Sequence, residues 1–159
     1  MLKDNSYFFN QDISIGVAFN PYLPSYLFDE EILRLEKKLQ SGLVSSIWIQ
    51  FGTDYKLLKS RIEILSRMIS ATILKNPKIS KISLFGSILI PSKQFISRFK
   101  FRPWKGVYIA DKYLNCLDDF YEFTKDLVEI YLDNNIFPVI ETECTSKEKL
   151  EEIYTLIKT

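Results

Sequence analysis

The chain has 159 residues, 47% hydrophobic and 26% charged. That is one ordinary globular domain, long enough to bury roughly two thirds of the surface its unfolded form would expose. Net charge is +1 from 21 basic and 20 acidic residues, with no block of one sign, so the basic field on which nucleic-acid binding rests is missing. There is no histidine, which removes serine or cysteine triads with an imidazole base, His-ligated metal and imidazole proton shuttles.

No apolar run reaches the ~18 to 20 residues needed to span a bilayer, and the start Met1-Leu2-Lys3-Asp4-Asn5 has no apolar signal core. A soluble cytoplasmic protein is the default expectation. Cys116 and Cys144 have no metal-ligand spacing and read as reduced residues of the core, and no metal is expected.

Ile13 to Phe19 is β-branched and aromatic with little charge, as in a strand buried on both faces. Asn20-Pro21 and Pro24 end it. Phe28, Ile32, Leu35 and Leu39 then recur on one helical stripe, with Asp29 near the start and Gly42 as a C-terminal stop. Val44 to Phe51 is a second strand. Asp54 is placed to cap a long helix that carries Leu58, Ile62, Leu65 and Ile69 on one face and closes at Asn76-Pro77.

Ile82 to Ile90 is the third strand, and Pro91-Ser92 opens a short helix through Phe99. From Lys100 to Leu117 the periodicity weakens, and Phe101 to Tyr108 reads as an extended insertion. A helix returns with Phe120, Phe123, Leu127 and Ile130. Ile136 to Thr142 is the fourth strand. Thr145 with Glu148 makes a capping box before a last helix with Leu150, Ile153, Tyr154 and Ile157.

Strands alternating with helices imply parallel pairing through right-handed crossovers. The fold class expected is α/β, four βα units over a single domain, residues 1–159. On periodicity alone two architectures fit: half of an eight-stranded (β/α)8 barrel, or a small open sheet with helices on both faces. A half-barrel would leave two unpaired edges and an incompletely covered inner face. A homodimer, or a partner chain supplying the other half-barrel, would remove that cost.

Three segments carry a family likeness. Gly16-Val17-Ala18-Phe19-Asn20-Pro21 is similar to the Gly-Gly-Ala-Phe-Asn-Pro fifth strand of methylenetetrahydrofolate reductases. Arg34 to Gly42 resembles the helix after it, and Ile49-Gln50 stands where the family's sixth strand ends in Thr-Gln. Gly86 to Ser92 is similar to the family's Gly-Ile-Met-Pro-Leu-Thr-Ser, with Leu89 in place of the proline.

The resemblance implies the C-terminal half of that barrel. It also implies a truncated or split reductase-like protein with a partial flavin and folate site, inactive alone. The half bearing the family's catalytic glutamate has no counterpart here, so no catalytic residue is assigned. By resemblance Gln50 contacts a folate-like pterin, with Phe19 and Asn20 beside it, and Lys37 and Lys38 hold the phosphates of FAD. Each also has a structural reading: an amide satisfying backbone, a turn cap before Pro21, a solvated helix face. Trp48 and Trp104 fit core or interface packing or a stacking platform.

Two alternatives stand beside this reading. One is a non-catalytic, self-associating or regulatory homologue. The other is an unrelated small α/β enzyme using Glu141 and Glu143 at the end of the fourth strand.

Overall fold

The computed structural model describes residues 14–77, 79 and 81–157. Four strands form one sheet in the order of the chain, every neighbouring pair parallel. They are β1 (Ile15–Phe19), β2 (Val44–Ile49), β3 (Ser83–Leu89) and β4 (Ile136–Glu141). Right-handed crossovers in a sheet of sequential strand order put every connecting helix on the same face. That is the arrangement of half a (β/α)8 barrel, and it excludes the open sheet with helices on both faces.

The helices are α1 (Ser25–Gln40), α2 (Tyr55–Lys75), α3 (Lys93–Phe101), α4 (Asp111–Asn115), α5 (Leu117–Asp133) and α6 (Lys147–Ile157). Local chemistry sets their ends. Asp54 caps α2 by accepting from Leu57 N at 2.9 Å, and Ser92 caps α3 by accepting from Phe95 N at 3.0 Å. Gly42 stops α1 with φ of 72°, a left-handed conformation that a Cβ disfavours. Among the described residues no helix is long and apolar enough to cross a membrane.

The core lies between the sheet and the helices. Ile47, Ile49, Leu84, Ile88 and Ile136 point from the strands toward Leu35, Leu39, Leu58, Leu65, Phe120 and Leu127. Gly86 sits on this side of β3 because the Tyr131 ring of α5 lies flat against it. A Cβ at Gly86 would come within 2.3 Å of that ring.

Three expectations change. The β1 run is covered on one face only, since Gly16 and Ala18 point to the other side and are exposed; Ile13 lies outside the described residues. Beyond the Phe101 to Tyr108 insertion, Asp111–Asn115 adds a helical turn that the sequence did not signal. Ser46 to Ile49 run into an irregular segment at Gln50, so β2 ends before Phe51. The cap of α6 is Ser146, whose Oγ accepts from Lys149 N at 3.3 Å, rather than Thr145. On that helix Ile153 packs inward while Leu150 and Tyr154 are exposed.

Candidate functional site

On a strand, side chains alternate between faces. Ile47 and Ile49 of β2 and Leu84, Gly86 and Ile88 of β3 face the helices, so Trp48, Phe85 and Ser87 between them line the opposite, open face. Register aligns them in rows. Ala18, Trp48, Phe85 and Phe137 stand side by side across all four strands. Trp48 stacks on Phe85 at 4.6 Å between ring centroids, and Phe85 lies 5.7 Å from Phe137. Below this aromatic row are small residues, Gly16, Ser46 and Ser83.

One step above it, toward the C-terminal ends of the strands, the next row contains Asn20, Gln50, Ser87 and Val139. C-terminal strand ends are where parallel α/β sheets and barrels place their ligands. The candidate site is therefore a polar row over an aromatic floor.

The two amides in that row differ. Asn20 is spent on folding: its Oδ1 accepts from Tyr22 N at 3.0 Å, closing an Asx turn, and its Nδ2 donates to Gly106 O at 2.8 Å. Its backbone N donates to Glu31 Oε1 at 3.0 Å. Gln50 is held only by its backbone, whose N donates to Phe19 O at 2.9 Å. Its half-buried side-chain amide has no hydrogen-bond partner among the described residues. Phe19 lies on the other face, 0% exposed, its ring 6.1 Å from that of Phe28. It supports the row from behind and presents no surface to the open face.

A strap from the α3–α4 connection braces the mouth. Tyr108 pairs with Gly52, its carbonyl accepting from Thr53 N at 3.0 Å, while Thr53 Oγ1 accepts from Ala110 N at 2.8 Å. Trp104 anchors the strap by packing edge-on against Phe95 and Phe99. On the β1 side the brace is Arg61 of α2, 5% exposed. Its Nη1 donates to Pro21 O at 2.5 Å and Leu23 O at 2.6 Å, and its guanidinium lies 3.7 Å from the centroid of Phe28.

Two tyrosines fill the space behind. The Tyr131 hydroxyl donates to Ser87 O at 3.3 Å, whereas the buried Tyr22 hydroxyl lies beside the Tyr131 phenol without a hydrogen bond of standard geometry. Burial, and secondarily the neighbouring Tyr131 phenol, pushes Tyr22 well above the usual tyrosine pKa; burial does the same to Tyr131.

Lys37 and Lys38 are in the last turn of α1, which runs back toward the start of β2. Gln50 is at the other end of β2, roughly 20 Å away at about 3.3 Å per strand residue. The structure places these lysines and Gln50 at opposite ends of β2. Glu141 accepts a short hydrogen bond from Ser87 Oγ, and Glu143 pairs with Arg98. Both carboxylates are exposed and engaged.

A cavity of about 740 Å3 opens between the start of α2 and the strap, lined among others by Tyr55, Phe99, Tyr108 and Tyr113. Gln50 does not line it. Arg61 and the strap are the parts of this region that sequence reasoning missed. Arg61 had one signal, its place at i+3 from Leu58 on a buried helical stripe, where a charge calls for partners.

No family model matches the sequence, and no curated protein matches it. Among solved structures the chain is similar to an uncharacterized protein from Clostridium thermocellum, described as binding two copies of 5-methyl-5,6,7,8-tetrahydrofolic acid. The TM-score is 0.59 at 20% identity, over 92% of this chain and 53% of that one. This chain thus spans about half the length of that protein. At such identity the likeness is one of fold.

Proposed function

We propose that this chain binds a reduced pterin of the 5-methyltetrahydrofolate type at the C-terminal end of its sheet, as a half-barrel related to the methylenetetrahydrofolate reductases. The observation that carries the reading is the Gln50 amide, half-buried, without a partner among the described residues, on the open face one row above Trp48. A carboxamide offers an acceptor and two donors in one plane. The amino-oxo-pyrimidine edge of a pterin presents the complementary donors and acceptors, and its flat ring suits an aromatic floor. The shared fold with a protein described as a methyltetrahydrofolate binder supports the same ligand class. The activity proposed is binding, and no reduction step is assigned to this chain.

Titration with 5-methyltetrahydrofolate tests this, by calorimetry and by quenching of Trp48 in a Trp104→Phe background. Losing hydrogen bonds worth about 1 to 3 kcal/mol in Gln50→Ala weakens binding by roughly 5- to 150-fold. Absence of saturable binding at millimolar ligand overturns the proposal, as does equal affinity in the variant.

A further inference from the structure

We propose that the open face of the sheet is the docking surface for a second copy of this chain, two four-stranded sheets closing into one eight-stranded barrel. Parallel sheets are found almost only with both faces covered. Here the helices cover one face, and the other presents Trp48 at 46% exposure and Phe137 at 54%, with Phe85 stacked between them. Of the side chains that β1 to β4 turn to that face, the only charged one is Glu141, at its rim and bonded to Ser87. No charge stands in the middle to oppose burial.

The sheet edges indicate what covers the face. Among the described residues the outer edges of β1 and β4 pair with no strand. Because the strands are parallel and in sequence order, the outer edge of β4 in one copy continues into β1 of the other with the same polarity. A two-fold axis along the barrel forms both seams at once. Another partner would have to supply two edges of matching direction; this chain already carries both.

The seam chemistry is compatible with this. Phe19 O faces β2 and Glu141 O faces β3, so alternation turns the backbone groups of Gly16 and Ala18, and of Ile136, Pro138 and Ile140, outward. Pro138 withholds one donor from each seam, which leaves the aromatic face as the main source of adhesion. In the longer C. thermocellum protein nearly half of the chain lies beyond the part matched here, enough to cover such a face within one polypeptide.

The closed form would place two Gln50 residues around one mouth. The docking argument itself does not depend on the ligand proposed above, and its test is made without ligand. Sedimentation equilibrium or light scattering on the full chain should give twice the 18.7 kDa chain mass. The Trp48→Asp/Phe137→Asp variant should give the single-chain mass with its helical circular dichroism retained. Should that variant unfold, the thermal midpoint of the unmodified chain decides, since a dimer melts higher as concentration rises. A single-chain mass at every concentration up to about 100 µM, a dimer that survives the double substitution, or a concentration-independent midpoint overturns the proposal. A dimer without folate affinity sinks only the ligand reading, and a monomer that binds folate sinks only the docking.

Discussion

Arg61→Met removes a buried brace while keeping a side chain of similar length, so its effect reads the brace rather than a cavity. Two carbonyls, Pro21 O and Leu23 O, lose a charged donor at 2.5 and 2.6 Å. An unsatisfied buried acceptor costs about 1 to 3 kcal/mol, and the guanidinium over Phe28 contributes about 0.5 to 2 kcal/mol. Against this, burial holds the arginine pKa below its usual value, with Asp54 and Asp29 opposing, so substitution relieves a desolvation cost. Met also returns about 1 to 2 kcal/mol of apolar burial. The carbonyls dominate because both belong to the turn between β1 and α1 and accept no other hydrogen bond among the described residues. A net loss of about 2 to 4 kcal/mol follows, a midpoint roughly 5 to 12 °C lower for a domain of this size. Urea unfolding followed by circular dichroism measures it, and Arg61→Lys should fall between, since one ammonium cannot stack as the planar fork does. A loss under about 1 kcal/mol in Arg61→Met would show that the turn holds itself and that the brace is incidental.

Gly86→Ala drives a methyl to 2.3 Å from the Tyr131 ring, between β3 and α5, where both backbones are fixed. Overpacking of this kind costs about 1 to 3 kcal/mol, and an unchanged thermal midpoint would refute the flat contact. Alkaline pH should destabilise the fold. Tyr22 and Tyr131 have folded pKa values raised by burial, so above the unfolded value near 10 the unfolded chain releases protons that the native chain keeps. Stability is full below about pH 10 and falls above it by about 1.4 kcal/mol per pH unit for each such phenol. Tyr22→Phe, which removes only the hydroxyl's contact with the Tyr131 phenol, should flatten the fall with little change in stability at neutral pH; an equally steep fall in urea titrations from pH 8 to 11 would reject the assignment.

The strand and helix order was legible because each element carries its own period. Phe28, Leu35 and Leu39 are buried on α1, Leu58, Ile62 and Leu65 on α2, as their spacing implies, and Asp54, Ser92 and Gly42 end their helices by chemistry confined to a few residues. What a segment meets across the fold is not so confined. The apolar run of β1 does not reveal whether a second layer covers it, and here none of the described elements does. Thr145 and Ser146 both fit the cap of α6, and only the backbone path selects Ser146. The strap was opaque for the same reason. Its bonds run from Gly106 to Asn20 and from Tyr108 to Thr53, across separations that no local period records.

The site shows the same division within a single row. Asn20 and Gln50 are two amides at equivalent positions on neighbouring strands, and either one could have faced a ligand. Asn20 precedes a proline turn and lies against the strap, so the chain uses both ends of its amide to close the mouth. Gln50 leaves β2 before Phe51 and Gly52 turn back under Tyr108, which gives its backbone a partner in Phe19 and its side chain none among the described residues. One of the two amides is therefore consumed by folding, which makes the other the sharper candidate. The Gln50 amide is not among the buried unpartnered atoms, so solvent satisfies it in the free chain and it stays available to the ligand proposed above at little desolvation cost. For Phe19 the motif gave the neighbourhood and parity gave the face. A residue between Ala18 and Asn20 must point away from both, into the core where it is found.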